Sequence, residues 1–227
     1  MKRFFKLLIL VILSLSVYFV YKENNHKTIK ILNIGDGLAL GINSYGIDDY
    51  SYADYYKDLI KNNSNKIIIN EKYSYKEQSI KMLLEKVKSN NEIKKDLISS
   101  HLLIICLGYN DLIYKVSIER NITNSKLNRI MSEIETDYNV LISEIRKYYK
   151  GKIIVIGSYS SDLKDYYINN GIKKLNRILK NNPEIEYIDI YDELKGEKYF
   201  PIPGNYYPNN DAYKLIANKI IEKTLEK

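Results

Sequence analysis

The sequence predicts an α/β domain, a three-layer α/β/α sandwich around a five-stranded parallel sheet, preceded by an N-terminal membrane helix. Three observations predict it. Short apolar, β-branched runs recur along the chain; segments with helical apolar spacing lie between them; and a basic stretch followed by an apolar one opens the sequence. A continuous apolar run suits a strand buried on both faces, and strands alternating with helices build parallel sheets covered on both sides. A chain of 227 residues is long enough for one such domain with its own core.

The first element is the N-terminal segment. Residues 1–6 (MKRFFK) are basic and residues 7–21 (LLILVILSLSVYFVY) are almost wholly apolar. Fifteen apolar residues are short for a span, which wants ~17–25. Counting from Phe4, with Lys6 reaching back to the interface, brings the segment into range. The basic flank predicts a cytoplasmic N-terminus and an exported remainder. The nearest small-residue cleavage pattern, Ser14-Leu15-Ser16, would cut mid-run, which favours an uncleaved signal anchor over a signal peptide. A stretch apolar on every face is also unsuited to a surface-packed core helix. Residues 22–28 (KENNHKT) read as a linker, and 29–227 as the single folded domain.

Strands are expected at 29–34, 66–70, 102–107, 153–156 and 187–190, where Ile, Leu and Val dominate. Residues 52–60 form the first helical pattern. Ile80, Leu83, Leu84 and Val87 share the face of a second. Leu127, Ile130, Ile134, Leu141 and Ile145 line a third. A fourth carries Ile172, Leu175, Ile178 and Leu179 and stops before Pro183. The last starts near Asn210 and buries Leu215, Ile216 and Ile220. No internal repeat or low-complexity tract interrupts the series.

Composition removes several function classes. Hydrophobic residues at 45% and charged residues at 28% describe a globular chain. The net charge is +7, and about +4 once Lys2, Arg3 and Lys6 are set aside; no Lys/Arg run with interleaved aromatics occurs, so nucleic acid is not an expected partner. The 23 tyrosines, with no tryptophan and abundant Lys, Asn and Ile, read as the codon bias of an AT-rich genome rather than as an aromatic platform. The single cysteine, Cys106, lies in an apolar run, which leaves no internal disulfide and no zinc site; it is expected as a buried strand residue. No cofactor or metal is implied.

In parallel sheets of this kind, ligands sit beyond the carboxyl ends of the strands, where the strand order switches. The turns there are Gly35-Asp36-Gly37-Leu38-Ala39-Leu40-Gly41 after the first strand, Gly108-Tyr109-Asn110-Asp111-Leu112 after the third, and residues 201–210 (PIPGNYYPNN) before the last helix. Asp36 and Asp111 suit hydrogen bonds to their own turns, and Gly35 and Gly108 suit tight turns. Asn110 either grips a ligand carbonyl or satisfies its turn.

These three pieces, in this order, resemble the SGNH/GDSL hydrolases, whose fold is a flavodoxin-like sandwich, and bacterial extracytoplasmic members in particular. The resemblance runs from Ile29 to Ile221, and Gly-x-Asn-Asp at Gly108–Asp111 is its most specific motif. It implies a Ser attacking an ester or amide carbonyl, a His taking its proton, an Asp three residues earlier orienting that His, and an oxyanion hole built from backbone N–H groups, a Gly and an Asn.

On that pattern Gly37 stands where the Ser belongs, and Tyr207, before Pro208, where the His belongs. The Asp position falls on Gly204 or Asn205. No glycine occurs between Gly46 and Gly108 to supply the oxyanion Gly, and that region reads Tyr73-Ser74-Tyr75-Lys76-Glu77. Asn110 alone survives, which leaves Asn110, Gly108 and Asp36 as oxyanion or ligand-binding candidates. The histidines are His26, in the linker, and His101, before the third strand; Ser44 and Ser51 have no placed base.

Losing either Ser or His from a serine hydrolase costs about 10⁶ in turnover, and binding with the oxyanion hole leaves roughly 10³–10⁴ over water. The resemblance with these losses implies a membrane-anchored, extracytoplasmic pseudo-esterase that binds a ligand or partner at the cell envelope, with ester, glycan or lipid as the ligand class and no protein partner indicated. The alternative is an active esterase or acylhydrolase acting on carboxylic esters or acetylated glycans through displaced residues. The Tyr206-Tyr207 pair is then expected to fill the space that the His and the substrate occupy in that family, a plugged pocket rather than a binding one.

Overall fold

The computed structural model describes residues 11–16, 18, 27–61, 65–160 and 165–225. Five strands form one parallel sheet: β1 (Lys27–Gly35), β2 (Asn65–Asn70), β3 (Leu102–Cys106), β4 (Ile153–Ile156) and β5 (Glu186–Ile188), in spatial order β2-β1-β3-β4-β5. The helices are α1 (Tyr52–Ile60), α2 (Ile80–Ser89), α3 (Asn91–Ser99), α4 (Tyr109–Ile118), α5 (Asn124–Tyr148), α6 (Tyr166–Lys180) and α7 (Asn210–Leu225).

Each strand sends alternate side chains to opposite layers. Leu32, Ile34, Leu103, Ile105, Ile153 and Val155 pack under α2 to α6. Ile31, Leu102, Ile104, Cys106, Ile154 and Ile156 pack under α1 and α7. Both faces are covered, which is why β3 and β4 are apolar at every position and fully buried. The three-layer sandwich read from the sequence is the one observed.

Two helices were not legible as separate elements. α3 presents only Ile93 and Leu97 to the core, one turn apart, too little apolar periodicity to stand out; Asn90 starts it by accepting the Glu92 N–H at 2.7 Å. The Gly108–Leu112 segment, read as a turn, is the N-cap and first turn of α4. Gly108 takes φ +109° there, and no side chain caps the helix.

The expected anchor spans residues 1–21, of which only 11–16 and 18 are described; these are helical. Among the described residues no helix is long and apolar enough to cross a membrane. The linker expected at 22–28 falls outside the described residues except for its last two, which already belong to β1.

The strand order changes direction between β1 and β3, which run side by side with Gly35 opposite Cys106. That crevice is the switch point, and the turns after β1 and β3 meet there. A buried polar bridge fixes the first turn from below. Asn33, fully buried in β1, donates to the Ala39 carbonyl at 2.9 Å and to Glu71 Oε1 at 2.7 Å. Ser51, the N-cap of α1, donates to the same Glu71 oxygen at 3.0 Å. Burial raises the Glu71 carboxyl above its ordinary range, and the two donors work against that shift.

Candidate active site at the β1–β3 switch point

The turn after β1 is held by its own backbone. The Asp36 N–H donates to the Cys106 carbonyl at 3.1 Å, so the chain stays pinned to β3 as it leaves the strand. Asp36 Oδ1 accepts the Leu38 N–H at 3.0 Å, an Asx turn, and the Gly37 carbonyl accepts the Ile42 N–H at 3.0 Å. Asp36 is buried, and desolvation, with Asp111 adding repulsion, pushes its carboxyl up to about 7 against the pull of the Leu38 N–H.

Gly37 is buried and faces the loop before α7. A Cβ placed on it would stand 2.5 Å from the Tyr207 hydroxyl and 2.6 Å from Tyr207 Cε1. The phenol therefore fills the volume in which a residue-37 side chain would begin. Tyr207 is held by Asn205, whose Oδ1 accepts the Tyr207 N–H at 3.0 Å and whose Nδ2 donates to the Ser44 carbonyl. Asn205 thus braces the loop backbone. Burial, followed by Asp36, pushes the Tyr207 phenol up to about 12, so it stays protonated at neutral pH and cannot act as a base.

Asn110 lies in the first turn of α4 and donates through Nδ2 to the Lys76 carbonyl at 3.0 Å and the Gln78 carbonyl at 3.1 Å. Both N–H bonds of the amide are used, leaving none for an oxyanion in this geometry. They tie the 71–79 loop, which carries no oxyanion glycine, onto α4. Both Asp111 carboxylate oxygens lie within reach of the Ile80 N–H, at 3.2 and 3.1 Å, so Asp111 caps α2 from α4; burial pushes its carboxyl up to about 6. Gly108 is buried against Leu175 and does not line the cavity described next.

A cavity of about 250 Å³ opens beside the filled position. Asp36, Gly37, Asn110 and Tyr207 all line it, so the topology brings together four of the residues singled out in the sequence. The expected plug is only half of what is observed. Tyr207 closes the space beside Gly37, and the space beyond it, toward β4 and α6, stays open between Ser158, Tyr159 and Ile168.

Sequence reading missed this far wall. Tyr109 and Tyr159 line it with rings 6.4 Å apart and nearly parallel, and the Tyr159 hydroxyl donates to the Tyr206 carbonyl at 2.5 Å. The available signal was position: Ser158 and Tyr159 follow β4 directly, at the carboxyl edge where sites form.

Of the other conceivable nucleophiles, Ser158 lines the cavity, where no histidine accompanies it among the described residues. Cys106 lines the cavity, but burial holds its thiol well above the ordinary range, so it is not a thiolate. His101 is exposed at the opposite end of the sheet, where its Nδ1 accepts the Lys30 N–H at 3.1 Å; His26 lies outside the described residues. Ser51 is spent on its helix cap. Among the described residues no cluster of three or more His, Cys, Asp or Glu could hold a metal ion.

No family model matches the chain, and no curated protein matches it. Solved structures do. The chain is similar to the lipase Lip_vut3 from a goat rumen metagenome, with a TM-score of 0.70 and 19% identity over 86% of this chain and 96% of that one. It is similar to a catalytic mutant of Axe2, an acetylxylan esterase from Geobacillus stearothermophilus, with a TM-score of 0.63 and 14% identity over 88% and 95%. A lipolytic protein of the G-D-S-L family from Veillonella parvula matches with a TM-score of 0.62 and 16% identity over 88% and 100%. At these identities the likeness concerns the fold, and it extends over nearly the whole of each neighbour.

Proposed function

The fold being that of the SGNH/GDSL hydrolases, we propose that this protein is a member of that family that has stopped hydrolysing esters and works by binding a ligand or partner. The observation that carries the reading is the Tyr207 hydroxyl standing 2.5 Å from the position of a residue-37 Cβ, in a site where Gly37 and Tyr207 replace the expected Ser and His. A nucleophile there would have to displace the phenol. The Asn110 amide, spent on two backbone carbonyls, removes a further donor from the reaction.

The proposal places the domain outside the cytoplasm, held to the cell membrane by the basic-then-apolar segment at residues 1–21. The neighbours include a lipase and an acetylxylan esterase, so carboxylic esters of lipids or glycans are the ancestral substrate class.

A second reading keeps catalysis with displaced residues. Asp36 favours it, being a carboxyl in the cavity wall with a pKa near 7, where a general base operates best. Turnover of a short-chain p-nitrophenyl ester by the full chain, beside Asp36→Asn and Asn110→Ala, separates the two. Turnover by the wild type that either substitution abolishes would sink the binding reading. A rate equal to buffer in all three is the expected result.

A further inference from the structure

We propose that the cavity beside Gly37 is a binding site for a small alkylated ammonium cation, a choline-type headgroup being the type of ligand it fits. The inference rests on the non-catalytic reading and names the chemistry of what is bound.

The cavity wall combines one carboxyl with four phenol-bearing side chains. Asp36 lines it with Tyr109, Tyr159, Tyr206 and Tyr207, and no lysine, arginine or histidine does so among the described residues. A buried carboxylate without a positive partner is costly, and it is relieved either by protonation or by a cation. Aromatic faces attract a cation by their quadrupoles, and surrounding rings with a nearby carboxylate is how quaternary ammonium groups are recognised. The Tyr207 ring already takes one cation, Lys76 Nζ at 5.7 Å from its centroid.

The rest of the wall selects the kind of cation. Leu38, Leu107, Ile113 and Ile168 are apolar, and Asn110 and Ser158 add only neutral oxygens, whereas a hard metal ion wants six or more oxygen ligands and no cluster of carboxylates that could hold one stands among the described residues. An alkylated ammonium presents methyl groups to such a wall and its charge to Asp36. A cavity of about 250 Å³ also lies below the ~300–1,000 Å³ of drug-sized pockets, which suits a headgroup rather than a large ligand.

The titratable groups coupled to Asp36 are neutral or negative, and the cation Lys76 sits on the Tyr207 ring. Asp111 faces it from α4, Cys106 from β3, Tyr52 from α1, Tyr213 from α7, Tyr159 from the segment after β4 and Tyr207 from its loop. The positive end of α4 points this way too, but Asp111 sits in its first turn and offsets it. A cation that binds only the ionised carboxyl gains about tenfold in apparent affinity between about pH 6 and about pH 8, as ionisation proceeds through a pKa of about 7.

The test is a titration of the full chain, in a maltoside detergent, with choline and with its neutral carbon isostere dimethylbutanol, followed by ligand-detected NMR. Choline is expected to bind at least about tenfold more tightly than the isostere at pH 8, to lose about tenfold at pH 6, and to lose its advantage in Asp36→Asn, while the isostere stays unchanged throughout. Equal binding of the two compounds, a choline affinity indifferent to pH, or full choline affinity in Asp36→Asn would each overturn the proposal.

Should Asp36→Asn fail to fold, Tyr109→Leu carries the same decision: it must weaken choline more than the isostere, and an equal loss of both overturns the site. Glycerophosphocholine is titrated alongside. Its binding with choline, or choline's alone, supports the site and tells a lipid headgroup from the free base. Ester turnover on the same sample keeps the readings apart. Hydrolysis would count against the binding reading, whereas loss of cation preference without hydrolysis would count against the cation site alone.

Discussion

The Tyr207 phenol lies over the bare Cα of Gly37, its hydroxyl 2.5 Å from the point where a Cβ would be. The two positions are therefore coupled: the aromatic ring fits because residue 37 has no side chain. Gly37 does not need positive φ, so the obstacle to substitution is contact and not backbone strain.

Gly37→Ala is expected to destabilise the protein by about 1–3 kcal/mol, the usual cost of overpacking, despite the smaller unfolded-state entropy of alanine. In a Tyr207→Ala background the same change should be close to neutral. Urea denaturation of the four members of this cycle measures the coupling, and additivity would show that the phenol does not occupy that space.

Asn110→Ala removes two hydrogen bonds from the Lys76 and Gln78 carbonyls, at 3.0 and 3.1 Å. The expected loss is about 1–3 kcal/mol, one net contribution for each bond. Limited proteolysis should locate the loosening in the 71–79 loop. Unchanged stability would return Asn110 to the role of a ligand donor.

Asp36→Asn is expected to alter how stability depends on pH. The folded pKa of Asp36, about 7, lies above its ordinary value of 3.8, so the folded state holds the proton more tightly. Its contribution is present in full below about pH 4 and is lost as pH rises toward about 7. Asp111, raised to about 6, works in the same direction. The variant should match the wild type near pH 4 and exceed it near pH 8 by up to a few kcal/mol, read as a shift in denaturation midpoint. A constant offset between the two proteins would contradict the shift.

Combining Gly37→Ser, Tyr207→His and Asn205→Asp should restore measurable p-nitrophenyl acetate hydrolysis. The rate is expected to stay about 10²–10³-fold below that of a complete serine hydrolase, because Asn110 remains bound to the 71–79 loop and the oxyanion hole lacks a donor. A well-folded triple variant with no gain over wild type would refute the assignment of these three positions.

The sheet was legible because burial on both faces leaves a local trace. Residues 102–106 and 153–156 are apolar throughout, in runs of five and four residues that suit buried strands. Helices with wide apolar faces, such as α5 with eight buried positions, were equally plain. α3 and α4 were not: α3 buries only Ile93 and Leu97, and α4 opens on Gly108–Leu112, a Gly-Tyr-Asn-Asp segment that reads as a turn. The cavity's tyrosines were hidden for a different reason. With 23 tyrosines in the chain, composition could not tell Tyr109 and Tyr159 from the others.

The sequence by itself determined the alternation of strands and helices, the three turns at the strand ends, and the residue types at those turns, glycine at 37 and tyrosine at 207 among them. Each of these is written in residue type and local order. Only the tertiary structure decided what Gly37 and Tyr207 do together. Gly37 and Tyr207 are 170 positions apart in the chain, and whether the phenol enters the space beside Gly37 depends on how the loop before α7 is braced by Asn205 and Ser44. The same holds for Asn110, whose two donors are claimed by carbonyls more than thirty residues away, and for the open half of the cavity, which exists because β4 ends beside β3. Residue types set which contacts are possible; chain packing across the switch point selects among them.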